Sequence, residues 1–177
     1  SPGGKTERIR EIMDALNIKN VEIRTEEGED VRKYIKPLKI HWIFVKPTEE
    51  MRKAREILEG LMEEKAKILK EMKIRISKST ARSRLTQIYQ KLIEEKNLPA
   101  LAHFSVFYNA FHAVEILETE GPYALERFVE RLRQRKKRVD YRIFKALNVV
   151  RGMEHPKMEK LIEIINSEAG KKMIVFA

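Results

Sequence analysis

The residues that first suggest chemistry are Gly4, Lys5 and Thr6, in the opening stretch SPGGKTERIREIM. Glycine followed by Lys and Thr is how a phosphate-binding loop ends. There, backbone N–H groups wrap the phosphates and the lysine reaches the terminal ones. Such a loop also needs a further upstream glycine and a buried strand ahead of it, and the sequence supplies neither. No Asp-Glu pair closes an apolar strand downstream to hold magnesium. The competing reading is an ordinary helix start, with Thr6 as N-cap and Glu7 at the positive end of the helix dipole.

The other chemistry-bearing residues assemble no reaction centre. His103 and His112 lie nine apart on one helical stretch, on roughly one face but two turns too far to share a metal, and no carboxylate completes a ligand set. Core or capping roles suit them better, and His155, just before Pro156, is placed to cap a helix. Glu115, Glu118 and Glu120 read as surface charges or partners for a basic face. Met51, Met62 and Met72 form core stripe rather than a sulfur site. No nucleophile–base pair can be argued, so no catalytic residue, metal site or cofactor of this chain's own is expected.

Two basic runs stand out instead. In KAKILKEMKIRISKSTARSR, the cations Lys67, Lys70, Lys73, Arg75, Lys78, Arg82 and Arg84 face only Glu71. In RLRQRKKRVDYRIFK, the cations are Arg131, Arg133, Arg135, Lys136, Lys137, Arg138, Arg142 and Lys145, with Asp140 the only acid. Elsewhere the charges alternate in sign, as in EEMRKAREILEG, the mark of a solvated helix face. Cations at helix C-termini complement the dipole, which accounts for part of the second run. So many unbalanced charges in two places point further, to phosphate contacts that grip a nucleic-acid backbone without reading sequence. Only Tyr141 and Phe144 stand near a basic run, so a base-stacking platform for single strands is not favoured.

The composition agrees. The 177 residues carry a net charge of +10, which a fold does not need and an acidic partner would explain. Nucleic acid is the first such partner and an anionic membrane surface the competitor, while Lys and Glu richness also suits a thermophilic source. Hydrophobic residues at 42% allow a real core, so the 36% charged content describes surface rather than disorder. The absence of Cys excludes disulfide and thiolate–zinc frameworks and suits an intracellular protein. No apolar run reaches membrane-spanning length. A chain starting at Ser1 is expected to be a piece of a longer one.

The elements that must position the basic runs are mainly helical. Periodicity predicts a helix over 7–16 stopped by Asn17, then short strands at 21–25 and 38–45, the second with Ile40, Trp42 and Phe44 alternating. Helices follow over about 48–72, 80–96, 99–119, 122–138 and 140–151, and a last one starts at Pro156 and ends near Gly170. The helix over 99–119 is apolar on most sides and must be central. A strand MIVFA closes the chain. The expected fold class is mainly α, a helical bundle with short strands at its edges.

The two ends resemble a known family. SPGG, followed by ERIREIMDALNI and VEIRTEEGEDVRKYI, is similar to the exit from the first motor domain of a superfamily 2 helicase, where Ser-Pro-Gly belongs to motif III. EHPKMEKLIEIINSEAGKKMIVFA resembles the entry into the second motor domain. Between them, LKIHWIFV and AFHAVEILETEGPYALERFVERL are similar to the helical, thumb-like insert of the archaeal Hef-type helicases (helicase-associated endonuclease for fork-structured DNA). The Fanconi anaemia group M helicase is related to these. The resemblance covers essentially the whole chain, most strongly over 108–132 and 154–177.

It implies a first motor-domain edge at 1–36, an insert at 37–153 and the start of the second motor domain at 154–177. Motif III coupling falls on Ser1, Pro2 and Gly3, so Gly4-Lys5-Thr6 is not a phosphate loop. ATP and magnesium belong to the parent motor, whose nucleotide-binding loop and arginine finger this chain lacks. The implied partners are forked or branched DNA and the flanking motor domains, inside the cell and away from membranes. The competing reading is a structural or protein-interaction helical module. The discriminator is whether the two basic runs converge on one face or scatter.

Overall fold

Thr48 turns the chain into its longest helix: its hydroxyl accepts from the Met51 N–H at 3.2 Å, with Glu49 and Glu50 at the positive end of the dipole. The structure is a computed structural model that describes residues 6–20, 39–134 and 139–176. Among these residues the helices are α1 (Thr6–Ala15), α2 (Glu49–Glu71), α3 (Arg82–Glu94), α4 (Leu98–Thr119), α5 (Pro122–Gln134), α6 (Tyr141–Val150) and α7 (Pro156–Ser167). The chain divides into two compact units, Ser1–Ile43 and Phe44–Ala177, and the second holds α2 to α7.

Local chemistry explains most boundaries. The Asn97 side chain caps α4 by accepting from the Ala100 N–H at 3.2 Å, and Pro99 fits the first turn, where no N–H is needed. Asp140 caps α6 through the Arg142 N–H at 3.0 Å. His155 caps α7 as expected, its Nδ1 accepting from the Lys157 N–H at 3.1 Å. Asn17 stops α1 in the left-handed region, at φ 52°. Thr6 lies within α1 as its first residue rather than ahead of it.

The core is shared by every helix from α2 to α6. On α2, Met51, Ala54, Leu58, Leu61, Met62 and Leu69 recur at helical spacing and are buried. They pack against α4 and α6, while α4 also meets α3 and α5, and α5 meets α6. The central position expected of α4 is therefore realised, with Phe104 and Phe107 fully buried and Ala110 and Ala113 letting neighbours approach closely. Each large buried side chain of this kind contributes about 1.5–3 kcal/mol relative to exposure. Ion pairs and rings show that neighbours run antiparallel. Arg55 early in α2 meets Glu118 late in α4 at 2.9 Å, and Tyr89 and Arg82 of α3 meet Phe104 and Glu115 of α4 in reverse order.

The mainly helical class holds, but two expected strands do not. Residues 39–45 and 172–176 form no strand, and Ile40, Trp42, Phe44, Ile174 and Phe176 are exposed. Alternation is a property of one segment, whereas a strand needs a neighbour's N–H and C=O groups and a face to pack on. Among the described residues no neighbouring strand supplies either. The strand expected at 21–25 lies outside the described residues. So do Ser1, Pro2, Gly3, Gly4 and Lys5, and the end of the helix expected over 122–138.

Candidate nucleic-acid interface

The first basic run is split by a sharp helix end. At the C-terminus of α2, Lys73 takes φ 64°; its N–H donates to the Lys70 carbonyl at 3.0 Å and the Ile74 N–H reaches back to the Leu69 carbonyl at 2.8 Å. This pair of bonds is a Schellman motif with lysine where glycine is preferred. Lys67, Lys70, Lys73 and Arg75 cluster around that end, all exposed. The chain then folds back along α2, and Ser77 to Thr80 form a turn stitched by the Thr80 hydroxyl, which accepts from the Ser77 N–H at 2.8 Å.

Beyond the turn, the run's charges are compensated from elsewhere in the fold. Lys78 meets Glu59 at 3.1 Å and Glu63 at 3.8 Å, and Arg82 meets Glu115 at 3.6 Å. Glu115 also lies 3.4 Å from His112 Nδ1. In the second run, Arg142 is held by Asp140 at 3.0 Å and by Glu64 of α2. Glu115 and Glu118 thus serve as partners of basic residues, as their types allowed. Three cations that are unbalanced in the sequence are balanced in space.

The rest of the second run is less engaged. Arg133 lies over the Phe144 ring at 5.4 Å, and Arg131 donates to the Arg127 carbonyl at 3.4 Å. Both are exposed at the C-terminal end of α5, as is Lys145 on α6. Arg135, Lys136, Lys137 and Arg138 lie outside the described residues.

The antiparallel packing decides where each run lies. The end of α2, the start of α4, the end of α5 and the start of α6 fall at one end of the bundle: Glu64 of α2 meets Arg142 of α6, and Arg133 of α5 meets Phe144 of α6. Lys73 and Arg75 of the first run line a groove between α2 and α3, whereas Arg131 of the second run stands in a cleft on the other face of α3, so the described cations of the two runs do not gather on one face. Between α2 and α3 a groove of about 400 Å³ is lined by Lys73, Arg75, Arg84 and Lys91, with Glu95 the one acid. Lys91 was not singled out in the sequence, because it lies outside both runs and follows Arg84 only through the helical repeat.

On the other face of α3 lies a second cleft, of about 430 Å³, formed with α4 and α5 and lined by Thr86, Tyr89, Phe104, Tyr108, His112, Phe128 and Arg131. Its rings form a ladder: Tyr89 to Phe104 at 6.0 Å and Phe104 to Tyr108 at 6.1 Å, each pair within 25° of parallel. His112 meets Phe128 edge-on at 5.1 Å. The sequence reading missed this aromatic wall because it weighed only rings adjacent to basic runs. The aromatic repeat from 104 to 111 was legible, but its nearness to Arg131 is tertiary.

Electrostatics single out the Arg142 cluster. Hydrogen bonding from Arg142, then from Lys65, holds the Glu64 carboxyl down to about 2 from an ordinary 4.5. Asp140 is also lowered, chiefly by its hydrogen bond from Arg142, and Arg142 is raised in return. Among the described residues no cluster of His, Asp and Glu could hold a metal, and no helix is long and apolar enough to cross a membrane.

Comparison with known proteins adds an independent line. No family model matches the chain. A protein of Methanocaldococcus jannaschii named as an ATP-dependent RNA helicase is 28% identical over 193 aligned residues, which cover all of this chain and 25% of that protein. ATP-dependent DNA helicases of Neurospora crassa and Debaryomyces hansenii match shorter stretches, 39% identical over 57 residues and 41% over 51, about a third of this chain and 5% of each helicase. The crystal structure of the Pyrococcus furiosus Hef helicase domain superposes with a TM-score of 0.63 at 26% identity, over 94% of this chain and 40% of that one. The chain thus spans about a quarter of the length of its full-length archaeal relative.

Proposed function

We infer that this chain, a relative of the Hef-type superfamily 2 helicases, is a helicase-associated segment that grips forked or branched DNA by its phosphates between two motor domains. The observation that supports this reading is the groove between α2 and α3, lined by Lys73, Arg75, Arg84 and Lys91 with Glu95 the one acid, 3.6 Å from Lys91; Arg131 of the second run stands at the cleft on the other face of α3. Sequence-tolerant backbone binding asks only for such a positively lined surface on a rigid support.

Residues 1–36 are the edge of the first motor domain, 37–153 the insert and 154–177 the start of the second. ATP, magnesium and the work of translocation belong to the motor domains of the longer protein. The insert contributes grip, without hydrolysing ATP or cutting DNA itself. Exposed apolar residues ahead of α2, Trp42 and Phe44, and in and after α7, Ile162, Ile174 and Phe176, suit contact with those domains.

The same exposed residues favour a second reading, a helical spacer that docks proteins and leaves DNA to the motors. Titration of the chain with forked, duplex and single-stranded DNA and with duplex RNA, across salt, separates the two. A phosphate grip makes log K fall with log salt by about 0.9 per contacted phosphate of duplex DNA, with the fork bound most tightly. Uniformly weak binding at low salt leaves the spacer.

A further inference from the structure

We propose that the cleft between α3, α4 and α5 receives an unpaired nucleobase of the bound DNA, a site that deepens the grip proposed above and rests on it. A nucleobase needs a flat apolar face to stack on, polar groups at its edge and a cation for its phosphate. The cleft supplies all of these in one place. Tyr89, which is exposed, and the half-buried Tyr108 flank the buried Phe104 in near-parallel array, so the two tyrosines supply the face. Asn109 and Ser105 also line the cleft; neither has a protein hydrogen-bond partner among the described residues, and neither is sealed from solvent. Arg131, from the second basic run, stands at the same cleft.

The polar lining argues against an apolar protein side chain as occupant. Such a side chain would cover the Asn109 amide and the Ser105 and Tyr108 hydroxyls while offering them no hydrogen bond. A base edge offers donors and acceptors that match an amide. The volume of about 430 Å³ lies within the usual range of small-molecule clefts. Inside a duplex both faces of a base are stacked and its edge is paired, so only an unpaired base can enter. Forked DNA presents such bases beside the duplex whose phosphates the basic groove on the other face of α3 would hold.

The test perturbs the DNA and leaves the fold alone. Two forks of one sequence are compared, one carrying abasic residues at the unpaired positions next to the junction. Charge and phosphate number are the same in both. The expected result is at least about a tenfold loss of affinity for the abasic fork, with an unchanged salt slope. Tyr89→Leu should lower the affinity for the intact fork to that for the abasic one, and leave the abasic affinity where it was. Equal binding of the two forks by the unaltered chain overturns the base site while the phosphate grip stands. A Tyr89→Leu loss that is the same on both forks overturns it too, since the ring would then act on backbone or fold. Failure to bind either fork at low salt overturns both proposals.

Discussion

Arg142 holds Asp140 through two parallel bonds, Nε to Oδ1 and Nη2 to Oδ2, each 3.0 Å, while its remaining nitrogen reaches Glu64 on α2. One guanidinium thereby joins the cap of α6 to a helix 78 residues earlier in the chain. The planar fork matters here, because a lysine ammonium cannot serve both carboxylates in these directions. Arg142→Met should cost about 1–2 kcal/mol in urea unfolding, between the worth of an exposed pair and that of a buried one. Arg142→Lys should recover only part of it. Because two acids already neutralise Arg142, the salt slope of DNA binding should stay the same in both variants. A slope lowered by about one unit would mean that Arg142 leaves its partners to meet a phosphate.

The same cluster sets a pH dependence. The carboxyl of Glu64 titrates near 2 in the folded chain against an ordinary 4.5, so its contribution to stability is complete above about 4.5. It is lost as the pH falls from there towards 2. Glu64 is 45% exposed, so the effect is below about 1 kcal/mol. Urea unfolding of the wild type and Glu64→Gln at pH 6 and pH 2.5 checks this. The gap between the two should narrow at the lower pH, and a gap that stays as wide there would place the stabilisation elsewhere.

Lys73 separates stability from binding. It occupies a left-handed position at φ 64° that glycine adopts without a steric penalty. Lys73→Gly should raise stability by about 0.5–1 kcal/mol, seen as a higher melting temperature. In the same protein it removes one cation from the basic groove, so the salt slope should fall by about 0.9 if that cation holds a phosphate. A stabilised variant with undiminished DNA binding would remove Lys73 from the interface.

Gly121 sits where α4 gives way to α5, at φ 95°, and a Cβ there would lie 2.9 Å from Cδ2 and 3.0 Å from Cβ of His155. His155 in turn caps α7 and lies with Nε2 3.3 Å from the Glu118 carbonyl. Gly121→Ala should therefore destabilise by more than about 1 kcal/mol, from backbone strain and the contact together. Adding His155→Gly removes the contact but not the strain, so the double variant should lose less than the sum of the two single losses. Strict additivity would show that the two positions do not press on one another.

How far the sequence reaches is clearest in α4 and Arg142. The order of the helices, the central place of the apolar one and the cap at His155 were legible, because periodicity and capping depend on residues within a few positions of each other. The cations available for a grip were legible for the same reason, as local excesses of one charge. The strands expected at 38–45 and 173–177 were misread over their described residues because neither alternation nor an apolar run says anything about a pairing neighbour. The sequence could not show that Glu59, Glu115 and Glu64 neutralise Lys78, Arg82 and Arg142, or that Arg131 comes beside Tyr89 and Tyr108. Those relations join residues twenty to eighty positions apart. Only antiparallel packing around α4 brings them within the few ångströms over which charges pair and rings share a cleft.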